Sequence, residues 1–383
     1  RVFALYGRAF RQAGNSHRRH VVSISGIVPW PVLCLEWKPA RAHACSWTFR
    51  YWRHDLFPGF YGPCAERCVK ILITGAAGNL GSQLVHHLMT TRHELRLLLH
   101  RSPFPFDVTG CPNISVCRAD LAQPDTLEAA CQAVDCVVHF AGVLFAPRPE
   151  KFLPLTNVGF VKNLVQKAQA SRVRRFILIS FPQVEGETTP DHPAFGRLDA
   201  SPRPIHFRTR LEAEKYLIDA CAGTAMIPVV FRSGMVYGRE VKMIEGARWM
   251  LRHRLMAIWQ TPTWIHLISL PDFLAALQVA IEKETVSGIY QVCDDQPLTL
   301  QEFLDRLAAY YGCPRAWRIP RWMFETAAVT SEMAALIFRT VAPLNRDIIK
   351  AGMTSCVADN SRMKRELLPL LAYPTLNEGI HLV

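Results

Sequence analysis

The run from Val69 to Leu88 reads VKILITGAAGNLGSQLVHHL. Val69, Ile71 and Ile73 alternate with Lys70, Leu72 and Thr74, and the segment is short, β-branched and almost wholly apolar. That pattern predicts a buried central strand of a parallel sheet. It stops at Gly75, and Gly75-Ala76-Ala77-Gly78-Asn79-Leu80-Gly81 opens onto a helical pattern in which Leu80, Leu84, Val85 and Leu88 share a face. A tight strand-to-helix turn lets backbone N–H groups approach a pyrophosphate, and the helix N-terminus adds partial positive charge. No Gly-Lys-Ser/Thr ending follows, which argues against a phosphate loop of the ATPase kind. With a strand before it and a helix after it, the glycine run reads as a dinucleotide site formed by Gly75, Ala77, Gly78, Asn79, Leu80 and Gly81.

A chain of 383 residues, 50% hydrophobic and 20% charged, suits a globular protein with a substantial core. No apolar run reaches the ~18 residues that a membrane-spanning helix needs. The formal charge of +12 is uneven. Residues 1–68 hold ten Lys/Arg against three Asp/Glu, with four of the nine tryptophans and four of the twelve cysteines, and no periodicity of a packed element. This basic leader is expected to be non-native or disordered, with initiation at or near Val69; an organelle transit peptide is the alternative. Without the leader the balance is unremarkable, so no nucleic-acid partner is expected. Cys64/Cys68, Cys111/Cys117 and Cys131/Cys136 lack the spacing of paired metal ligands, so the cysteines imply no metal site. Free thiols suit a reducing compartment, and a cytoplasmic location is expected.

Beyond the first helix, Glu94–Leu99 reads as a second strand. Where an acidic residue would hold the ribose 2′-hydroxyl of NAD, the chain has His100 and Arg101. A carboxylate would repel a 2′-phosphate and Arg would pair with it, so NADP is expected ahead of NAD. Ile114–Arg118 is the third strand, followed by Asp120 and Leu121 as adenine-side candidates. A cap or turn role for Asp120 is nearly as well supported. Asp125–Ala133 reads as a short helix, and Asp135–Phe140 as a fourth strand running into Ala141-Gly142, where backbone passes close to a cofactor. His139 reads as a satisfied core histidine. Pro154–Ala170 carries a helical stripe, Arg172–Arg175 supplies cations for its C-terminus, and Phe176–Ser180 is the fifth strand. Alternating strands and helices imply right-handed crossovers and a parallel sheet.

These residues resemble the extended short-chain dehydrogenase/reductase superfamily, in its NAD-dependent epimerase/dehydratase branch. The resemblance rests on TGAAGNLG (Thr74–Gly81), Ala119-Asp120-Leu121, HFAG (His139–Gly142), TNVGFVKNLVQKA (Thr156–Ala168), RRFILIS (Arg174–Ser180), RSGMVYG (Arg232–Gly238), GIYQV (Gly288–Val292) and DNSRMKRELL (Asp359–Leu368). It implies an α/β fold: a Rossmann-type doubly wound parallel sheet in an NAD(P)-binding domain at 69–233, with a smaller mixed α/β substrate lobe at 234–383. It also implies a Ser/Thr after the fifth strand and a Tyr-x-x-x-Lys on the next helix for proton transfer. In this chain Phe181 takes the serine slot, with Ser180 one position early; His206 takes the tyrosine slot and Arg210 the lysine slot. His206, Arg210 and Ser180 are therefore the catalytic candidates, with Arg210 also placed to hold the nicotinamide ribose. Imidazole titrates near neutrality and can substitute as acid/base, while Arg210 one turn on disfavours the imidazolium. Tyr216 and Lys215 lie too far along the helix to substitute.

The expected activity is that of an NAD(P)-dependent oxidoreductase or epimerase/dehydratase acting on a carbonyl/hydroxyl or sugar-nucleotide substrate. The alternative is a catalytically silent NADP(H)-binding sensor or assembly subunit. In the C-terminal half, Met226–Arg232 reads as a strand. Val241–Gln260 is a basic amphipathic segment, read as a helix packed on the sheet ahead of a lid over an anionic substrate or a membrane-surface element. Phe273–Lys283 and Leu300–Tyr310 read as helices, the latter capped by Thr299. Trp322–Thr340 is long and apolar but interrupted by Glu325 and Glu332, which favours a packed or dimerising helix over a membrane anchor. A homodimer is within the expectation.

Overall fold

The computed structural model describes residues 67–142, 149–338, 342 and 344–383. The leader expectation thus lies outside the described residues, apart from Arg67 and Cys68. Seven parallel strands form the central sheet: β1 (Lys70–Thr74), β2 (Glu94–Leu99), β3 (Ile114–Arg118), β4 (Cys136–His139), β5 (Arg175–Ser180), β6 (Ile227–Ser233) and β11 (Gly288–Val292). Their order is β11-β6-β5-β4-β1-β2-β3. Chain order reverses between β1 and β4, and that crevice is where a doubly wound sheet binds its ligand. Ile71, Leu72 and Ile73 are wholly buried, as a strand covered on both faces requires.

Helix α1 (Asn79–Leu88) follows β1, α2 (Phe160–Ala170) precedes β5, and α3 (Ile205–Cys221) lies between β5 and β6. The region before α2 is not one regular helix. Pro149–Leu153 is α-helical and Pro154–Gly159 forms a π-helical turn. The expected Asp125–Ala133 helix shrinks to a 3-10 turn at Pro124–Leu127 and four α-helical residues, Glu128–Cys131. Pro124 suits the tight first turn, and the helix ends where Gln132 turns extended and Ala133 takes φ 53°.

Beyond Ser233 the chain builds β7 (Met235–Tyr237), α4 (Lys242–Arg252), β8 (Ala257–Trp259), β9 (Trp264–Ile265) and β10 (Leu267–Ser269). Next come α5 (Leu270–Glu282), α6 (Leu300–Tyr310), α7 (Arg321–Ile337) and α8 (Arg346–Gly352), with short strands β12 (Leu298–Thr299) and β13 (Trp317–Ile319). Residues past 233 do not all stand apart from the sheet: β11 pairs with β6 in parallel. Arg175 contributes to the same join. It was expected to serve the end of the helix before β5, but it lies in β5 and its guanidinium donates to the carbonyls of Ala280, Lys283 (2.8 Å) and Glu284 (2.9 Å) at the end of α5. The Val241–Gln260 segment is helical only to Arg252; Arg254, at φ 56°, turns it into β8. No helix among the described residues is long and apolar enough to cross a membrane.

A buried charge cluster joins β5, α3 and β6. Arg232, fully buried, donates to Glu214 Oε2 from Nε (3.0 Å) and Nη2 (2.6 Å), and to Glu185 Oε1 from Nη1 (2.5 Å). Gln291 of β11 also donates to Glu185 (2.9 Å). Removing the arginine would strand two carboxylates in a dry interior. We expect Arg232→Ala to destabilise the fold by about 3–5 kcal/mol, read as a lower urea midpoint. A loss within about 0.5 kcal/mol would show that water or rearranged donors satisfy both carboxylates.

Candidate functional site

The site begins with a packing restriction at the end of β1. Gly75 has φ 71°, and a Cβ there would lie 2.8 Å from the backbone nitrogen of Ala141, beyond the neighbouring strand β4. A Cβ on Gly81 would collide with the carbonyl oxygen of Gly75. The turn closes through Gly78 N–H donating to Gly75 O (2.8 Å), and Gly78 stands as the N-cap of α1 without a side chain over the helix end. Ala77 and Leu80 pack partly on the core. The Asn79 side chain is committed elsewhere: Nδ2 donates to Glu240 O (2.6 Å) and Oδ1 accepts from Lys242 N–H (3.0 Å). Its contribution to an anion is therefore limited to backbone.

Ala141 and Gly142 follow β4 beside this turn. A Cβ on Gly142 would lie 2.6 Å from Arg210 Nη2 and 3.5 Å from Asn157 Oδ1. Arg210 projects from α3 and is 5% exposed, yet its side chain makes no hydrogen bond among the described residues. Burial lowers its pKa to about 10 against the pull of Glu214, so it stays charged at neutral pH. Asn157 sits in the π-helical turn, fully buried, with Nδ2 donating to Thr209 Oγ1 (3.1 Å) and Oδ1 unpartnered. His139, at the end of β4, is bonded through Nδ1 to Thr74 Oγ1 (2.8 Å), while Nε2 has no partner. The satisfied core histidine expected at this position is thus only half satisfied.

His206 is 8% exposed and lies in the first turn of α3, stacked on Phe181 with ring centroids 5.1 Å apart and an interplanar angle of 15°. Neither ring nitrogen has a hydrogen-bond partner among the described residues, and Nδ1 is fully buried. Burial, then the nearby Arg210 charge, lowers its pKa to about 3; His139 is lowered to about 3 by the same two causes in the same order. This corrects the expectation of an imidazole titrating near neutrality, because desolvation and a like charge both penalise the imidazolium. His206 is a neutral donor/acceptor.

Ser180 does not join this group. It ends β5, buried, with its hydroxyl donating to Glu214 Oε1 inside the Arg232 cluster. It helps position that cluster. Asp120 serves its own turn, with Oδ1 accepting from Ala122 N–H (2.9 Å) and Oδ2 3.5 Å from His100 Nε2. Leu121 buries its side chain in the core, and its carbonyl accepts from Asn163 Nδ2 (2.8 Å). Arg101 lies exposed two residues past the end of β2, the strand that pairs with β1. The structure therefore brings together Gly75, Gly78, Gly81, Ala141, Gly142, Arg210 and His206, and adds Asn157 and His139. Asn157 was visible only as a polar residue in an apolar helical stripe; His139 gave no signal beyond its place at a strand end.

Residues 71–261 match the model of the NAD dependent epimerase/dehydratase family. A 2-alkyl-3-oxoalkanoate reductase of Stenotrophomonas maltophilia is 28% identical over 261 residues, 64% of this chain and 77% of that protein. A UDP-glucose 4-epimerase of Vibrio cholerae is 24% identical over 73% of this chain and 87% of its own. Among solved structures, the Thermotoga maritima UDP-glucose 4-epimerase with UDP-glucose superimposes with a TM-score of 0.64 at 17% identity, covering 82% of this chain and 96% of that one. MoeE5 in complex with UDP-glucuronic acid and NAD gives 0.61 at 20% identity, covering 82% and 97%. The parallel sheet with flanking helices is the fold these structures share. By its family match and its reductase and epimerase relatives, this chain belongs to the NAD-dependent epimerase/dehydratase family of the extended short-chain dehydrogenase/reductases.

Proposed function

We propose that this protein is an NAD(P)-dependent oxidoreductase acting on a carbonyl/hydroxyl substrate, with His206 and Arg210 in place of the tyrosine and lysine of its family. One observation carries the reading: four buried polar atoms without partners, His139 Nε2, Asn157 Oδ1, His206 Nδ1 and Arg210 Nε, belong to side chains around the end of β4 and the start of α3. Buried donors and acceptors are costly to leave unmade, and such a group is what a polar ligand would satisfy.

The residues fit a dinucleotide. Backbone leaves no room for a Cβ at Gly75 or Gly81, Gly78 caps α1 without a side chain, and Arg210 beside Gly142 offers a fork of donors for ribose, so the turn can take a pyrophosphate on backbone N–H groups. Arg101, two residues past the end of β2 where an acid would select NAD, supports a 2′-phosphate, hence NADP ahead of NAD. When bound, such a cofactor supplies hydride. A neutral His206 can donate a hydrogen bond to a substrate oxygen as negative charge builds there, and Arg210 one turn on stabilises that charge. Relatives that reduce 3-oxoalkanoates and epimerise UDP-glucose support a panel of 3-oxoacids, ketones and nucleotide sugars as test substrates.

A second reading, silent binding, is favoured by Phe181: it replaces a hydroxyl and stacks directly on His206. Binding tests the cofactor assignment that both readings share, and turnover separates them. In fluorescence titration, Arg210→Ala is expected to weaken NADPH binding by about tenfold or more, and Arg101→Ala to weaken NADPH but not NADH. No NADPH or NADH binding by the unmodified protein would overturn the cofactor assignment. In turnover assays, His206→Ala is expected to lower kcat by about 10²–10³, as loss of one hydrogen-bond donor to a developing oxyanion does, with cofactor affinity nearly unchanged. Because the imidazole is already neutral, kcat should show no histidine inflection between about pH 5 and 9 and should fall only as pH drops toward 3. Tight binding with no turnover across the panel would favour the silent reading.

A further inference from the structure

Helix α7 has its apolar stripe on the wrong side for a packed helix. Trp322, Val329, Met333, Leu336 and Ile337 recur at helical spacing and are 43–74% exposed, and Phe338 just beyond is 73% exposed. The small Ala328 faces inward and is the buried residue of the helix; it packs on Leu344 and Ile349, the latter in α8. The stripe expected to pack or to dimerise is thus not covered within the described residues: seventeen residues present roughly 25 Å of outward apolar surface.

A basic aromatic rim continues the stripe at the start of α7. Trp259 of β8 meets Phe324 edge-on at 5.7 Å, and β13 lies parallel to β8. Trp317 of β13, 63% exposed, donates from Nε1 to Arg254 O (3.1 Å) beside the exposed Leu255. Arg252, Arg254 and Arg315 are exposed here, and among the described residues no carboxylate pairs with them. Trp249, also exposed, stacks on His253 one turn before the end of α4. The acids of α7 are occupied: Glu325 pairs with Arg321 (2.8 Å) and Glu332 with Arg346 (2.9 Å).

We infer that this face docks on an anionic lipid surface, with the α7 stripe, Trp317 and Leu255 entering the acyl boundary and Arg252, Arg254 and Arg315 meeting headgroup phosphates. Charge complementarity selects this occupant over a second copy. Self-pairing would set this face against a copy of itself, whose α7 acids Glu325 and Glu332 are already paired and offer the arginines no free carboxylate, whereas an anionic bilayer neutralises them. Exposed tryptophans beside cations and a one-sided apolar helix are what an interfacial element needs. Such binding is peripheral, in keeping with the absence of a spanning helix among the described residues.

The test uses the full 383-residue chain, co-sedimented with vesicles of phosphatidylcholine alone and of phosphatidylcholine mixed with phosphatidylglycerol. The expected result is pelleting with the mixed vesicles, weakened by added salt. Arg252→Gln/Arg254→Gln should lower partitioning about tenfold or more. Trp322→Ala/Leu336→Ala should lower it at least as much, with far-UV circular dichroism unchanged in both variants because the side chains lie on the surface. Pelleting that persists undiminished in both variants would assign membrane binding to another part of the chain, such as its basic first 68 residues, and overturn the proposal. So would no pelleting with phosphatidylglycerol, or a dimer in sedimentation velocity that Leu336→Ala dissolves without changing vesicle binding.

Discussion

The clearance between Gly81 and Gly75 constrains everything around the crevice. Helix α1 starts so close to the end of β1 that a single methyl group on Gly81 would meet the Gly75 carbonyl, and one on Gly75 would meet the backbone after β4. That proximity sets the helix N-terminus directly over the gap between β1 and β4, where the chain order reverses. Strand pairing then fixes what else can reach the gap. Thr74 lies in register with His139, so the strand ends are level and Ala141-Gly142 emerges opposite the glycine turn. From the other side, α3 brings Arg210 against Gly142. A looser turn would leave these groups several ångströms apart, and electrostatic stabilisation depends on fixed distances.

The buried cluster around Arg232 determines which side chains do not take part. Serine at the end of β5 looks, by sequence position alone, like a survivor of the proton-transfer machinery. In the fold its hydroxyl belongs to a set of two carboxylates and one guanidinium that must all be hydrogen-bonded to be tolerated in a dry interior. The next residue, Phe181, presents a ring to His206 instead of a hydroxyl to a substrate. Adjacent positions at a strand end point to opposite sides, so a one-residue offset separates a positioning role from a place in the pocket.

Much of the fold was legible because its strands are short, apolar and bounded by glycine or charge. Glu94–Leu99, Ile114–Arg118 and Leu300–Tyr310 have the same bounds in sequence and structure, and the glycine turn lies where the pattern placed it. What escaped depends on partners distant in the chain. Arg175 reads locally as a cation for the helix just before it, but its carbonyl partners are more than a hundred residues away at the end of α5. Asn157 acquires its place through a π-helical turn, which no apolar periodicity signals. The stripe of α7 is the clearest limit: periodicity identifies an apolar face but not whether that face turns inward, and here Ala328, with Phe324 partly buried beside it, occupies the inner side.

The neutral state of His206 and the charged state of Arg210 arise from the same desolvation. Taking an imidazole out of water beside a fixed cation removes the proton it would otherwise gain at low pH, and its pKa falls to about 3. Guanidinium begins from a far higher value, so the same burial leaves it charged at about 10. Low dielectric then strengthens the field of that charge at any oxygen placed beside it. A tyrosine and lysine divide the work differently, because a lysine lowers the tyrosine pKa and allows a proton to move near neutrality. With histidine and arginine the proton affinity of the ring is pushed away from neutrality, while the cation is retained. The pocket is thus left with a neutral hydrogen-bonding ring beside a retained positive charge.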